Sequence, residues 1–360
     1  MSPDLLLQLK QRLNQHEAEQ LTRKRQVSTE SSALNFTKND YLSLAQYPGA
    51  SGSPVTYYTQ THQDLEQRLA KWLHYPRALV FTSGYLAVLG AITALIGPND
   101  CIAVDKQCHA SVFDGIQLTK AFWQRYQDDD KDRLETILQT KTDGMRFIIT
   151  SSVFSMQGHL ADLNYLMQTA KKYNATLIID DVHGTGVLGP QGQGCVAHWN
   201  LSHEAPLVIG SLTKGLGTLG AFVAGNEIMI ESILQFARPY MFSTTLPESL
   251  AKASIIAIDL AQQAIDKRAH LKQLIDYFQQ RARELHLNSL PSQTPIQVIV
   301  FKNIDDMQKA AQKLLKKNIL VSAIRPPTVP KNSPRIRIVL NAAHQIQDIE
   351  QLLMELKADE

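Results

Sequence analysis

Cysteine is scarce in this chain: there are three, Cys101, Cys108 and Cys195. They make no C-x-x-C pair and no even-numbered framework. This excludes a disulfide-stapled scaffold and points to free thiols in a reducing, cytoplasmic compartment. Charge of one sign is lacking too. Lys and Arg number 36 and Asp and Glu 34, a net charge of +2, which gives no field for wrapping nucleic acid. No apolar run reaches the length of a membrane span. The opening MSPDLLLQLKQRLNQHEAEQLTRKRQ has an acid near its start and charges throughout. It lacks the uninterrupted apolar core of a signal peptide, so export is not expected. What is present is 360 residues, 44% hydrophobic and 19% charged, the composition of a globular chain of two domains or three small ones.

Leu5, Leu6, Leu9 and Leu13 stand at helical spacing and predict an amphipathic N-terminal helix over 3–20 that packs on something else. Residues 31–60 are rich in Ser, Asn, Tyr and Gly and read as an irregular arm. From about residue 64 the pattern is regular. DLEQRLAKWL predicts a helix, and ALVFTSG, CIAVD, RFIITSS, TLIIDD and LVIGS are apolar runs of strand length separated mostly by helical stretches. Strands that alternate with helices and are apolar throughout argue for an α/β fold, a mainly parallel sheet covered on both faces. Functional groups should gather just past the strand C-termini, at Ser83-Gly84, Asp105, Ser151-Ser152, Asp180-Asp181 and Ser211. Pro247 opens a long helix to about residue 286, and PIQVIVF, a helix over 304–317, ILVSAI, PRIRIVL and a last helix follow. The expected domains are 1–45 as helix and arm, 46–245 as the large α/β domain, and 246–360 as a smaller α+β domain.

Several motifs can carry chemistry. In LVIGSLTKGLG, Lys214 follows a strand end inside a glycine-rich turn, where an amine can approach an electrophile and form an imine. Ser211, Thr213 and nearby N–H groups could cradle a phosphate, although the P-loop order is absent; a solvated lysine is the simpler reading of this motif alone. TLIIDDVHGTGVLG delivers Asp180, Asp181 and His183 to a glycine-rich loop. A carboxylate there is costly unless it meets a cation or a protonated nitrogen, which fits a pyridinium partner, a metal ligand or a helix cap. His109 in DKQCHASVFDG could stack on a planar group or simply cap a helix. Ser83 and Gly84 in FTSGYLA begin a helix whose free N–H groups suit a phosphate. Arg325, Arg335 and Arg337 bracket a proline-rich loop and suit a carboxylate, or an exposed edge strand.

Taken in order, SLTKGLG, IIDDVHGTG, TSGYLA, DKQCHAS and VFSMQG resemble the α-oxoamine synthase family, pyridoxal-phosphate enzymes of the aspartate aminotransferase fold. The resemblance runs from about residue 20 to the C-terminus. It implies pyridoxal 5'-phosphate held as an imine on Lys214, which later moves the α-proton. It implies Asp180 on the pyridine nitrogen, His183 on the ring hydroxyl and His109 stacked on the ring face. Gly84, Tyr85, Ser155 and Ser211 would line the cofactor, and Thr244 or Thr245 would reach its phosphate from a partner subunit of a homodimer. Arg337 would clamp the amino acid's carboxylate, with Arg23, Asn39, His109 and Thr328 near the substrates. AIRPPTVP and RIRIVLNAAH are most similar to the branch that joins L-alanine to a pimeloyl thioester, on coenzyme A or a carrier protein.

The chain departs from the pattern at three places. Ser151 and Ser152 stand where a Glu usually precedes V-F-S-M, Gln157 stands where Asp is expected, and the segment 47–63 is shortened. Acyl-donor choice or turnover is where such changes would act. Other readings are a sibling synthase, an aminotransferase of the same fold, and a non-catalytic scaffold.

Overall fold

The structure is a computed structural model that describes residues 2–25, 52–201 and 207–357. The chain forms two compact units. The first holds the described residues up to Ser152 together with Asp162–Gln263, and the second holds Val153–Ala161 and Ala264 onward.

The first unit opens with α1 (Pro3–Ala18), α2 (Gln60–Leu73), β1 (Arg77–Phe81), α3 (Gly84–Leu95), β2 (Cys101–Asp105) and α4 (Ala110–Thr119). Next come β3 (Phe122–Tyr126), α5 (Lys131–Leu138), β4 (Arg146–Ser151), α6 (Leu163–Lys172), β5 (Ala175–Asp180) and the short α7 (Cys195–His198). It closes with β6 (Leu207–Ser211), β7 (Ala221–Gly225), α8 (Glu227–Phe236), α9 (Arg238–Met241) and α10 (Glu248–Gln263). Its seven strands lie in the order β1-β7-β6-β5-β4-β2-β3. The five from β6 to β3 run parallel, and β7 is antiparallel to both of its neighbours. Every residue of β2, β5, β6 and β7 is buried, as a sheet covered on both faces requires. Leu5 and Leu9 of α1 join the core made by α3, α4, α8 and the sheet.

The second unit is α11 (Ile265–Glu284), β8 (Ile296–Val300), α12 (Ile304–Lys316), β9 (Ser322–Ile324), β10 (Arg335–Val339) and α13 (Ile346–Lys357). Its strands form an antiparallel sheet in the order β8-β10-β9. Its core is separate and includes Leu274, Phe278, Met307, Leu314, Ile336 and Leu353.

Three differences from the sequence reading have physical causes. The helix expected from Pro247 to about 286 breaks at Ala264, which has φ −77° and ψ 41°. No Pro or Gly marks the break: α10 packs on α2, whereas α11 supplies Leu274, Ile275 and Phe278 to the second core. The compact units therefore part at 263/264, not at 245/246. The segment 153–161, expected within the large domain, belongs to the second unit, where side chains of β10 and of Ser292 and Thr294 hold its carbonyls. Strands β3 and β7 were not expected: FWQRY is a half-exposed edge strand, and AFVAG is too short and small to stand out. Of the expected arm at 31–60, residues up to 51 lie outside the described residues.

Candidate active site

The parallel strands deliver polar residues to one edge of the sheet, as the switch from buried strand to loop dictates. Asp180 ends β5 and is buried. The one hydrogen bond described for its carboxylate is a long one, Val182 N donating to Oδ1 at 3.3 Å. Burial pushes its carboxyl above the ordinary carboxylate range, and the Val182 N–H, the Lys214 ammonium and the His109 imidazole pull it back. Lys214 and His109 thus both act on the Asp180 carboxyl within one unit.

Lys214 sits in the bend that follows β6, with its side chain exposed. The bend is closed by Thr218 N and the Thr218 hydroxyl, both donating to Leu212 O, at 2.9 and 3.0 Å. Ser211 Oγ and Thr213 Oγ1 are 2.7 Å apart, and Ser211 Oγ accepts the Thr213 N–H at 3.1 Å. Gly215 is required beside the lysine because a Cβ there would stand 2.4 Å from Thr185 O. His183 lies half-buried in the turn after β5.

His109 caps α4. Its Nδ1 accepts the Ser111 N–H at 3.3 Å, and the ring is exposed. Tyr85 stands edge-on to it, with ring centroids 6.3 Å apart at 85°. The Tyr85 hydroxyl donates to Asp114 in a short hydrogen bond, a contact the sequence reading did not anticipate although Asp114 lies five residues beyond His109. Ser83 caps α3 by accepting Leu86 N at 3.3 Å. A Cβ on Gly84 would meet nothing within 4 Å. Thr244 is exposed and Thr245 buried, with Thr245 N donating to Gly52 O at 3.0 Å. Both line a small pocket with Thr82 and Tyr240.

In the second unit Arg337 is half-buried, and its Nε donates to Ser155 O at 2.7 Å. Burial pulls its pKa down, and no carboxylate pairs with it among the described residues. Arg335 is buried and donates to Met156 O, Ser333 O and Ser333 Oγ. Arg325 and Thr328 are exposed. Arg23 is tied to α8, its N–H donating to Gln235 Oε1 at 2.9 Å. Asn39 lies outside the described residues.

The first unit offers what pyridoxal phosphate needs. Asp180 is a buried carboxylate with hydrogen-bonding capacity left, Lys214 and an exposed imidazole act on it, and the space beside Gly84 at the start of α3 is open. The metal alternative fares worse, because the Asp181 side chain turns to Ser152 and Cys195. Among the described residues no group of three His, Cys, Asp or Glu is placed to hold an ion. No described helix is long and apolar enough to cross a membrane.

Residues 33–356 match the family of class I and II aminotransferases. The chain is 40% identical over 342 residues to the 8-amino-7-oxononanoate synthase of Marinobacter nauticus, covering 90% of this chain and 86% of that one. A solved serine palmitoyltransferase with its PLP internal aldimine superposes with a TM-score of 0.82 at 27% identity, over 86% of this chain and 79% of that one. The 8-amino-7-oxononanoate synthase of Francisella tularensis superposes with a TM-score of 0.74 at 32% identity, over 91% and 97%.

Proposed function

Because the chain belongs to the class I and II aminotransferase family, we propose that it uses pyridoxal phosphate to condense L-alanine with a pimeloyl thioester. The products are 8-amino-7-oxononanoate, CO2 and the free thiol, a step of biotin synthesis. The observation that carries the reading is Asp180, buried at the end of β5 with Lys214 and His109 acting on its carboxyl. The 40% identity to an 8-amino-7-oxononanoate synthase over 90% of the chain chooses the branch.

Bound pyridoxal phosphate supplies an electron sink for the carbanion formed at the amino acid's Cα. The chain's residues do the rest. Lys214 would hold the cofactor covalently, and its amine would serve as the base for the proton on alanine Cα. Asp180 keeps a proton on the ring nitrogen, because a buried carboxylate favours a cationic partner over solvent. His183 holds the ring hydroxyl, and His109 and Tyr85 bound the ring. The N–H groups of Gly84 and Tyr85, with Ser211, hold the phosphate at a helix N-terminus. Arg337 receives alanine's carboxylate, with Ser155, Thr328, Arg23 and Asn39 assigned near the ligands by resemblance. A new bond would join alanine Cα to the thioester carbonyl as the C–S bond breaks and the thiolate leaves as thiol with a proton; the carboxylate would leave as CO2, and a proton delivered to Cα in its place would complete the balance.

We propose a homodimer in which Thr244 or Thr245 meets the phosphate bound by the partner subunit, and a cytoplasmic location. Free Cys101, Cys108 and Cys195 support the latter. The test is thiol release from pimeloyl, succinyl, acetyl and palmitoyl thioesters, each with alanine, glycine and serine. Pimeloyl with alanine should win. Succinyl with glycine, or palmitoyl with serine, would move the chain to a sibling branch. Amino-group transfer to a keto acid without thiol release would make it an aminotransferase.

A further inference from the structure

Asp181 follows Asp180 directly, but its side chain serves a different group of atoms. One carboxylate oxygen accepts the Ser152 hydroxyl, just past β4, in a short hydrogen bond. The other accepts the Cys195 N–H, at the start of α7, at 3.0 Å. Its own N–H donates to Ile209 O of β6 at 2.8 Å. Its carbonyl accepts Thr185 N at 3.0 Å and the Thr185 hydroxyl at 2.9 Å. One residue therefore ties three neighbouring strands to both ends of the glycine-rich loop 182–194. The fit leaves no slack: a Cβ on Gly194, which has φ +104°, would stand 1.9 Å from Asp181 Oδ2.

The tie extends to the lysine. Thr185, held by Asp181, faces Gly215, where a Cβ would fall 2.4 Å from Thr185 O. Gly186 packs on the same glycine. Gly215 is bonded to Lys214, and His183 lies between Asp181 and Thr185. Asp181 is 1% exposed, and no cation pairs with it among the described residues. A buried acid without a cation is an expensive way to close a loop, and its two oxygens each accept one of the two hydrogen bonds, where a neutral amide offers a single acceptor oxygen.

We propose that Asp181 is the positioning residue of this site: through Thr185 and Gly215 it sets where Lys214 and His183 stand relative to Asp180. The inference rests on the proposed role of Lys214. Asp181 touches no reacting atom, so its effect is read in the state of the lysine and not only in turnover. The backbone of the lysine turn is held from the loop side by Thr185 and Gly186. Loss of the oxygen that accepts the Cys195 N–H frees that end of the loop and lets the turn drift from Asp180.

The experiment uses the whole chain reconstituted with pyridoxal phosphate. It compares wild type, Asp181→Ala, Asp181→Asn and Ser152→Ala by the pH midpoint of the absorbance of Lys214-bound cofactor, by kcat and KM for alanine, and by cofactor-free melting temperature. Asp181→Ala should move the midpoint by about one pH unit and lower kcat roughly tenfold. Asp181→Asn, which keeps an acceptor for Cys195, should restore both. Ser152→Ala should move the midpoint in the same direction by less, and it serves if Asp181→Ala does not fold. A lower melting temperature with unchanged midpoints in the variants that fold would make the tie purely structural and overturn the inference alone. A wild type that forms no lysine-bound cofactor would overturn both readings.

Discussion

Arg335 and Arg337, two residues apart on β10, donate to successive carbonyls of one turn, Met156 O at 3.1 Å and Ser155 O at 2.7 Å. The alternation of a strand puts both guanidinium groups on one side, but they are not equivalent. Arg335 is buried and spends its donors on Met156 and Ser333, whereas Arg337 is half-buried and commits Nε to Ser155. Replacing each by Met should separate the two roles. Arg335→Met leaves the half-buried Met156 and Ser333 carbonyls without this donor and should cost about 1–2 kcal/mol in urea unfolding. Arg337→Met should cost less stability and raise the KM for alanine tenfold or more, the loss of about 1.4 kcal/mol of binding. If alanine KM rises more in Arg335→Met, the carboxylate role belongs to the other arginine.

Lys214→Ala should fold normally, because the side chain is exposed in a bend and such changes stay within about 0.5 kcal/mol. It should take no borohydride-fixed cofactor, whereas peptide mapping of the wild type should find the label on Lys214. A label on Lys106 or Lys38 would reassign the site.

Asp180→Asn should keep covalent attachment and lose chemistry. A neutral amide cannot hold the ring nitrogen in its protonated form. Exchange of alanine's α-proton with deuterated water isolates this step and should fall by about 10²-fold. An unchanged exchange rate would remove Asp180 from that role.

Burial raises the Asp181 carboxyl to about 7, while the Ser152 hydroxyl and the Cys195 N–H pull it down. In an unfolded chain the same group titrates near 3.9, so from about pH 4 to 7 the folded chain keeps a proton that the unfolded chain has lost. Its contribution to stability is therefore fully present below about pH 4 and is lost as pH rises through about 7. Asp181→Asn cannot ionise. In the cofactor-free protein its melting temperature should gain on the wild type across this window and level off above it. A difference that is flat with pH would mean that Asp181 stays ionised when folded.

Much of the fold was legible because burial on both faces leaves runs such as LIID (177–180) and LVIGS with no polar residue until the strand ends. That same rule put Asp180 and Ser211 at the sheet's edge. The division of the chain was not legible. Helical periodicity continues through Ala264 without a breaker, and only the existence of two cores stops α10 there. Nor could VFSMQGHLA announce that arginines some 180 residues away would claim it for the second unit. Ser152 and Asp181 were visible as residues, but their bond depends on β4 and β5 being neighbours, which is a fact of sheet order.

The position of β1 bears on how the chain is made. Among the described residues its one strand partner is β7, with Arg77 opposite Gly225 and Phe81 opposite Ala221. During synthesis β1 leaves the ribosome long before that partner exists. At about 5–20 residues per second the wait is roughly 7–30 s, during which Leu79 and Val80 have no neighbouring strand. The β2, β3, β4 and β5 segments can pair as they emerge, because each finds its neighbour among strands already made or next in line. A nascent chain stalled before residue 221 therefore carries one open apolar strand, and chaperone capture should be strongest over that interval.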